Sequence, residues 1–221
     1  MSQYQIEYRH NGVPSVFELF LFVNPLGKNC YTCQQEVLKL IDLVTSNIDL
    51  HILPFHNQRL VEDYMQQLGI KKTNLQERNY IFQSVYRASL AYKAACMQGK
   101  RLGRYFLMRL QETINSDISK FSEEFAIDLA KDVGLDVEIF QQDMRSDFVK
   151  QLFLKDQKTA IDMSVESTPS LVIYEYVTGE ARLLEGYPIT LETILDEIDA
   201  LICDGTNHEE SGANVPALRL L

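Results

Sequence analysis

The chain has 221 residues, 46% of them hydrophobic and 24% charged, which is enough apolar material for one sizeable core or a small domain carrying a large insertion. Its formal net charge of −10 argues against nucleic-acid binding, because phosphate backbones demand clustered Lys and Arg. Four cysteines are too few for a disulfide scaffold, so any paired cysteines point to redox or metal chemistry.

The N-terminus, MSQYQIEYRHNGVPSVF, places polar and acidic residues where a secretion signal needs an apolar segment. No apolar run approaches the roughly eighteen residues of a membrane span, and a cytoplasmic location is expected. Residues 16–23, VFELFLFV, read as a buried strand that stops at the turn residues Asn24-Pro25-Leu26-Gly27. From Cys30 the apolar spacing becomes three and four, with Val37, Leu40, Ile41 and Val44 forming one stripe of a helix. Ile48 to Phe55 reads as a second strand, which completes a βαβ unit.

Strand signals then vanish until Ser170. Leu60 to Gly69 and Asn79 to Asn115 carry helical patterns, and Gly99 and Gly103 are expected to break or bend the second of these. Lys93, Lys100, Arg101, Arg104 and Arg109 make a basic stretch in this region, read as a solvated face. Ser122 is placed to cap a helix that ends at Gly134, and Asp136 to Asp162 supplies one or two more short helices. Ser170 to Val177 and Ala181 to Tyr187 read as strands joined by a hairpin turn at Thr178-Gly179-Glu180, and Thr190 to Cys203 as a closing amphipathic helix. Residues 204–221 form a polar tail ending in Pro216-Ala217-Leu218-Arg219-Leu220-Leu221. It is expected to fold back or lack fixed structure rather than dock on a partner.

Two motifs carry chemistry. In Cys30-Tyr31-Thr32-Cys33, the first thiol sits among unpaired N–H groups at a helix N-terminus, which is expected to lower its pKa. The second lies one turn on, in reach of a mixed disulfide. Cys30 is thereby the candidate attacking thiol and Cys33 the resolving one, with Lys28 adding positive potential. Zinc needs four ligands. There is no second CxxC or HxxxH, and His10, His51, His56 and His208 are scattered, so no metal or cofactor is expected. Cys96 and Cys203 fall on apolar helix faces and read as core. The second motif, Ser167-Thr168-Pro169-Ser170, stands directly before a strand.

The order βαβ, helical block, ββα resembles a thioredoxin fold interrupted by a helical domain, as in DsbA. This is an α/β class with residues 1–56 and 165–203 as the thioredoxin-like domain, 57–164 as the insertion and 204–221 as the tail. The resemblance implies a cis Pro169 facing the CxxC, with Thr168 beside it offering backbone bonds to an extended substrate, and Tyr31, Thr32, Thr168 and Pro169 as substrate contacts. FVNPLGKNCYTC, IDLHILPF, GRYFLMRLQE and SDFVKQLFLKDQ are similar to the cytosolic DsbA-like proteins of low-GC Gram-positive bacteria, the group of the YjbH or SpxH adaptor. That resemblance implies binding of an Spx-like regulator for degradation by the ClpXP protease, through surface recognition rather than CxxC turnover. The alternative it leaves is a dithiol-disulfide oxidoreductase or isomerase. A kappa-type glutathione transferase is disfavoured, since that group places serine where Cys30 stands. Tyr31 and Thr32 occupy the positions where DsbA has a histidine, and His10 alone stands where the adaptor family carries a His- and Cys-rich, zinc-associated segment.

Overall fold

The first strands described form a small hairpin, and the reason is visible in its turn. A computed structural model describes residues 5–115 and 117–208. In it Arg9–His10 (β1) pairs antiparallel with Val13–Pro14 (β2). Asn11 and Gly12 between them take φ of 48° and 81°, the two positive values that a tight hairpin turn requires. Ile6 is fastened to the end of the following helix: its N–H donates to Leu43 O at 3.0 Å and its carbonyl accepts from Thr45 N at 2.8 Å.

By compactness the described residues divide into two units, those within 1–21, 33–51 and 170–221 in one, and those within 22–32 and 52–169 in the other. A four-stranded sheet has the order β4-β3-β5-β6, made of Val16–Val23 (β3), Asn47–Pro54 (β4), Ser170–Glu175 (β5) and Ala181–Glu185 (β6). Strands β5 and β6 pair antiparallel. In β3 the side chains of Phe17, Leu19, Leu21, Phe22 and Val23 are wholly buried, so the later part of the strand is covered on both faces, as its continuous apolar run anticipates. Lys28–Leu43 (α1) and Leu191–His208 (α8) contribute Val37, Leu40, Ile194, Ile198 and Leu201 to the buried set of the first unit. Each such side chain contributes about 1.5–3 kcal/mol by leaving water.

The second unit is helical: Gln58–Gln67 (α2), Leu75–Met97 (α3), Lys100–Ile114 (α4), Glu123–Asp132 (α5), Val137–Arg145 (α6) and Asp147–Asp162 (α7). Its core gathers Leu26, Met65, Ile81, Phe106, Leu110 and Phe140. Asn57, Asn74, Ser122, Asp136 and Ser146 each cap a helix by accepting a backbone N–H, which satisfies one of the orphan donors at that end.

Several expectations need correction. The helices on either side of Gly99 separate there, at φ 130°, but Gly103 does not break the chain's helix. It is inside α4 because a Cβ at that position would lie 2.5 Å from Cys96 Sγ, so the glycine permits α4 to close on α3. The strand from Ser170 ends at Glu175, two residues early. The buried Glu175 side chain turns back to accept Thr178 N at 2.6 Å, and Gly179 takes φ 73°. The next strand ends at Glu185, before Gly186 at φ 86°. Cys203 is exposed rather than core. It lies about 200° around the helix from Leu201, off the apolar stripe. The apolar end of the tail, Pro216 to Leu221, lies outside the described residues.

Candidate functional site

The turn after β3 builds the site around Cys30. Asn24 folds its side chain forward to accept Leu26 N at 2.9 Å, while its carbonyl accepts Gly27 N at 3.0 Å. This Asx turn leads straight into α1, whose first residue is Lys28, so Cys30 lies in the first helical turn. A side chain at Gly27 would meet Asn24 Cβ, Asn24 O and Cys30 Sγ, each at 3.3 Å, a tight fit that glycine avoids. Two residues from the helices fix the turn from behind: Tyr64 donates to Leu26 O at 3.0 Å, and Gln111 donates to Asn24 O at 3.3 Å.

Two donors address the sulfur of Cys30: Asn24 N–H at 3.2 Å and the hydroxyl of Thr168. The Thr168-Pro169 peptide is cis, as the resemblance implied, and Pro169 is buried while Thr168 is partly exposed. Cys33 follows one turn later on α1 and is also buried. Tyr31 and Thr32 are partly exposed between them, and Thr32 Oγ1 donates back to Lys28 O at 3.3 Å.

Cys30 is only 2% exposed. Burial pushes its pKa up from 9.0 to about 12, against the smaller lowering effects of Asn24 N–H and Thr168. This corrects the expectation of an acidic thiol. A helix N-terminus favours an anion by roughly 0.3–1 kcal/mol, whereas a single pKa unit is about 1.4 kcal/mol. The dipole is therefore too weak to offset the loss of water around the sulfur. Tyr64 is also shifted up, by burial first and by proximity to Cys30 second.

Tyr64 and Gln111 are not candidate site residues in the sequence, and Asn24 stands out there only as a turn residue. The Asn-Pro dipeptide signals its turn, but nothing in the helical patterns marks Tyr64 or Gln111 as partners of that turn. Among the described residues the one grouping of three His, Cys, Asp or Glu ligands is Glu18, Asp49 and His51, away from the CxxC in sequence.

The sequence profile of the family described as Thioredoxin matches residues 20–190. The chain is 31% identical over 202 residues to the ClpXP adapter protein SpxH of Bacillus cereus, covering 79% of this chain and 67% of that protein. In structure it is similar to a putative protein disulfide isomerase from Nitrosomonas europaea, with a TM-score of 0.61 at 13% identity, covering 86% of this chain and 98% of the other. A variant of DsbA from Pseudomonas aeruginosa gives a TM-score of 0.59 at 16% identity, covering 92% of each. At such identities the two structural likenesses bear on the fold alone. Among the described residues, no helix is long and apolar enough to cross a membrane.

Proposed function

This chain belongs to the Thioredoxin family, and from that premise we propose that it is a cytoplasmic protein-binding adaptor that presents an Spx-like regulator to the ClpXP protease. The likeness to the ClpXP adapter protein SpxH supports the reading, and the observation that carries it is the burial of Cys30. A thiol held near pKa 12 is almost wholly protonated at neutral pH, and the thiolate is the species that attacks disulfides. An adaptor needs no such attack; it needs a rigid surface.

In this reading residues 1–56 and 165–203 are a docking platform, 57–164 a helical insertion, and the partly exposed Tyr31, Thr32 and Thr168, together with the buried Pro169, a contact patch for an extended segment of the client. The test is degradation of purified Spx by ClpXP with and without this protein, alongside direct binding. Wild type and Cys30→Ser/Cys33→Ser are expected to accelerate degradation equally. No binding at micromolar concentration and no acceleration by either protein overturns the adaptor reading.

One observation favours a second reading. Asn24 N–H and the Thr168 hydroxyl are the donors that a Cys30 thiolate would use once formed, so a thiol-disulfide oxidoreductase with Cys30 attacking and Cys33 resolving is the alternative. Insulin reduction that disappears in Cys30→Ser would decide for it.

A further inference from the structure

On the sheet, β4 places Asp49 and His51 two residues apart on one face, and the neighbouring β3 places Glu18 and Phe20 likewise. His51 Nε2 lies 2.9 Å from Glu18 Oε1 and 3.2 Å from Asp49 Oδ2. One ligand atom from each of the three residues falls within 4.8 Å of the other two. These contacts are close, yet Nε2 is buried and has no hydrogen-bond partner among the described residues. The two carboxylate oxygens crowd the nitrogen without the alignment of a hydrogen bond.

The two separations are compatible with ligands gathered around a cation. Two donors bonded to a metal at about 2.0–2.2 Å, and separated by 90–110° at it, stand about 2.8–3.6 Å apart. Both measured separations fall in this range. The groups are also held in place by neighbours that would not compete for a metal. Tyr176 donates to Glu18 Oε2 at 2.7 Å, which leaves Oε1 for the imidazole side. The His51 ring stacks on Phe20, with centroids 5.1 Å apart and planes at 17°. Hydrogen bonds and packing that fix ligand orientation in this way are a recurrent part of metal sites. With Asp49 60% exposed and Glu18 13% exposed, the group is open to solvent on one side and anchored on the other.

We propose that Glu18, Asp49 and His51 bind a first-row divalent transition cation, with three protein ligands and water completing its coordination. One imidazole with two carboxylates suits zinc or a neighbouring ion rather than calcium, which takes six to eight oxygens. The site contains no cysteine and is separate from the CxxC motif.

The test is calorimetric titration of Zn²⁺ into the untagged 221-residue chain in a Cys30→Ser/Cys33→Ser background, with Co²⁺ absorption as the second readout. One equivalent is expected to bind. Affinity should fall at least tenfold in His51→Ala and in Glu18→Gln, and less in Tyr176→Phe, which loosens the Glu18 carboxylate without removing a ligand. Asp49→Asn, at an exposed side chain, carries the test if His51→Ala fails to fold. The Co²⁺ spectrum should show ligand-field bands without thiolate charge transfer. Absence of binding, affinity unchanged in both His51→Ala and Asp49→Asn, or a thiolate band overturns the proposal.

Discussion

Cys30 should titrate far above an ordinary thiol, and this can be measured directly. Its burial lifts the pKa from 9.0 to about 12. Three units correspond to about a thousandfold less thiolate, or about 4 kcal/mol of preference for the neutral form. At pH 7 an ordinary thiol is about one per cent ionised, and Cys30 about one part in 10⁵. The perturbation is pH, applied to a Cys33→Ala/Cys96→Ala/Cys203→Ala protein and to the same protein with Cys30→Ser. Their difference in far-ultraviolet absorbance isolates the Cys30 thiolate, and it does not depend on a reagent reaching a residue that is 2% exposed. No thiolate signal should appear until well above pH 9, and adding Thr168→Val should delay it further by removing a lowering hydroxyl. A midpoint in the range of activated cysteines, about 3.5–7.5, would refute the reasoning and transfer weight to the oxidoreductase reading.

His56 offers a test of stability against pH. Its ring lies 4.8 Å from that of Phe82 and 5.5 Å from that of Phe153, neither nitrogen has a hydrogen-bond partner among the described residues, and burial lowers its pKa from 6.5 to about 4. Between these values the unfolded chain binds more protons, so stability is full above about pH 6.5 and is lost as pH falls toward 4. From about pH 7.5 to about pH 5.5 wild type should lose about 1.3 kcal/mol more than His56→Phe in urea unfolding; equal losses would show the ring is accessible to water. Lys93, expected on a solvated face, is instead largely enclosed and pairs with the buried Asp156 at 2.7 Å, the side chains being 14% and 7% exposed. Lys93→Met should cost about 3–5 kcal/mol by stranding the carboxylate, and Lys93→Met/Asp156→Leu should restore most of it. A double variant as unstable as the single would mean that packing, not charge, carries the cost.

What the sequence discloses is what short-range periodicity controls. The strand at 16–23 has the same bounds in both readings because a continuous β-rich run meets Asn-Pro, which ends it. Ser122 caps its helix as its hydroxyl and position imply. The Asn11-Gly12 hairpin lies equally within reach of local pattern, since Asn-Gly suits a two-residue hairpin turn, although no strand is expected there. Cys203 was legible too, since counting about 100° per residue from Leu201 puts it off the stripe. Gly103 was not. Its role depends on Cys96, seven residues earlier on another helix, and a glycine that breaks a helix looks in sequence like one that lets two helices touch.

The CxxC motif divides along the same line. Spacing of the two cysteines, the helix that begins at Lys28 and the Asx turn at Asn24 are local, and each follows from residues within a few positions. The proton affinity of Cys30 is not local. It is decided by how completely water is excluded, which depends on Tyr64 and Gln111 holding the turn from distant helices and on Thr168 arriving from far along the chain. The same four residues at the same helix position would favour thiolate if solvated and disfavour it when enclosed, because desolvation outweighs a helix dipole by several-fold. A CxxC at a strand-to-helix turn therefore establishes the fold, while the choice between adaptor and oxidoreductase rests on residues that the motif does not contain.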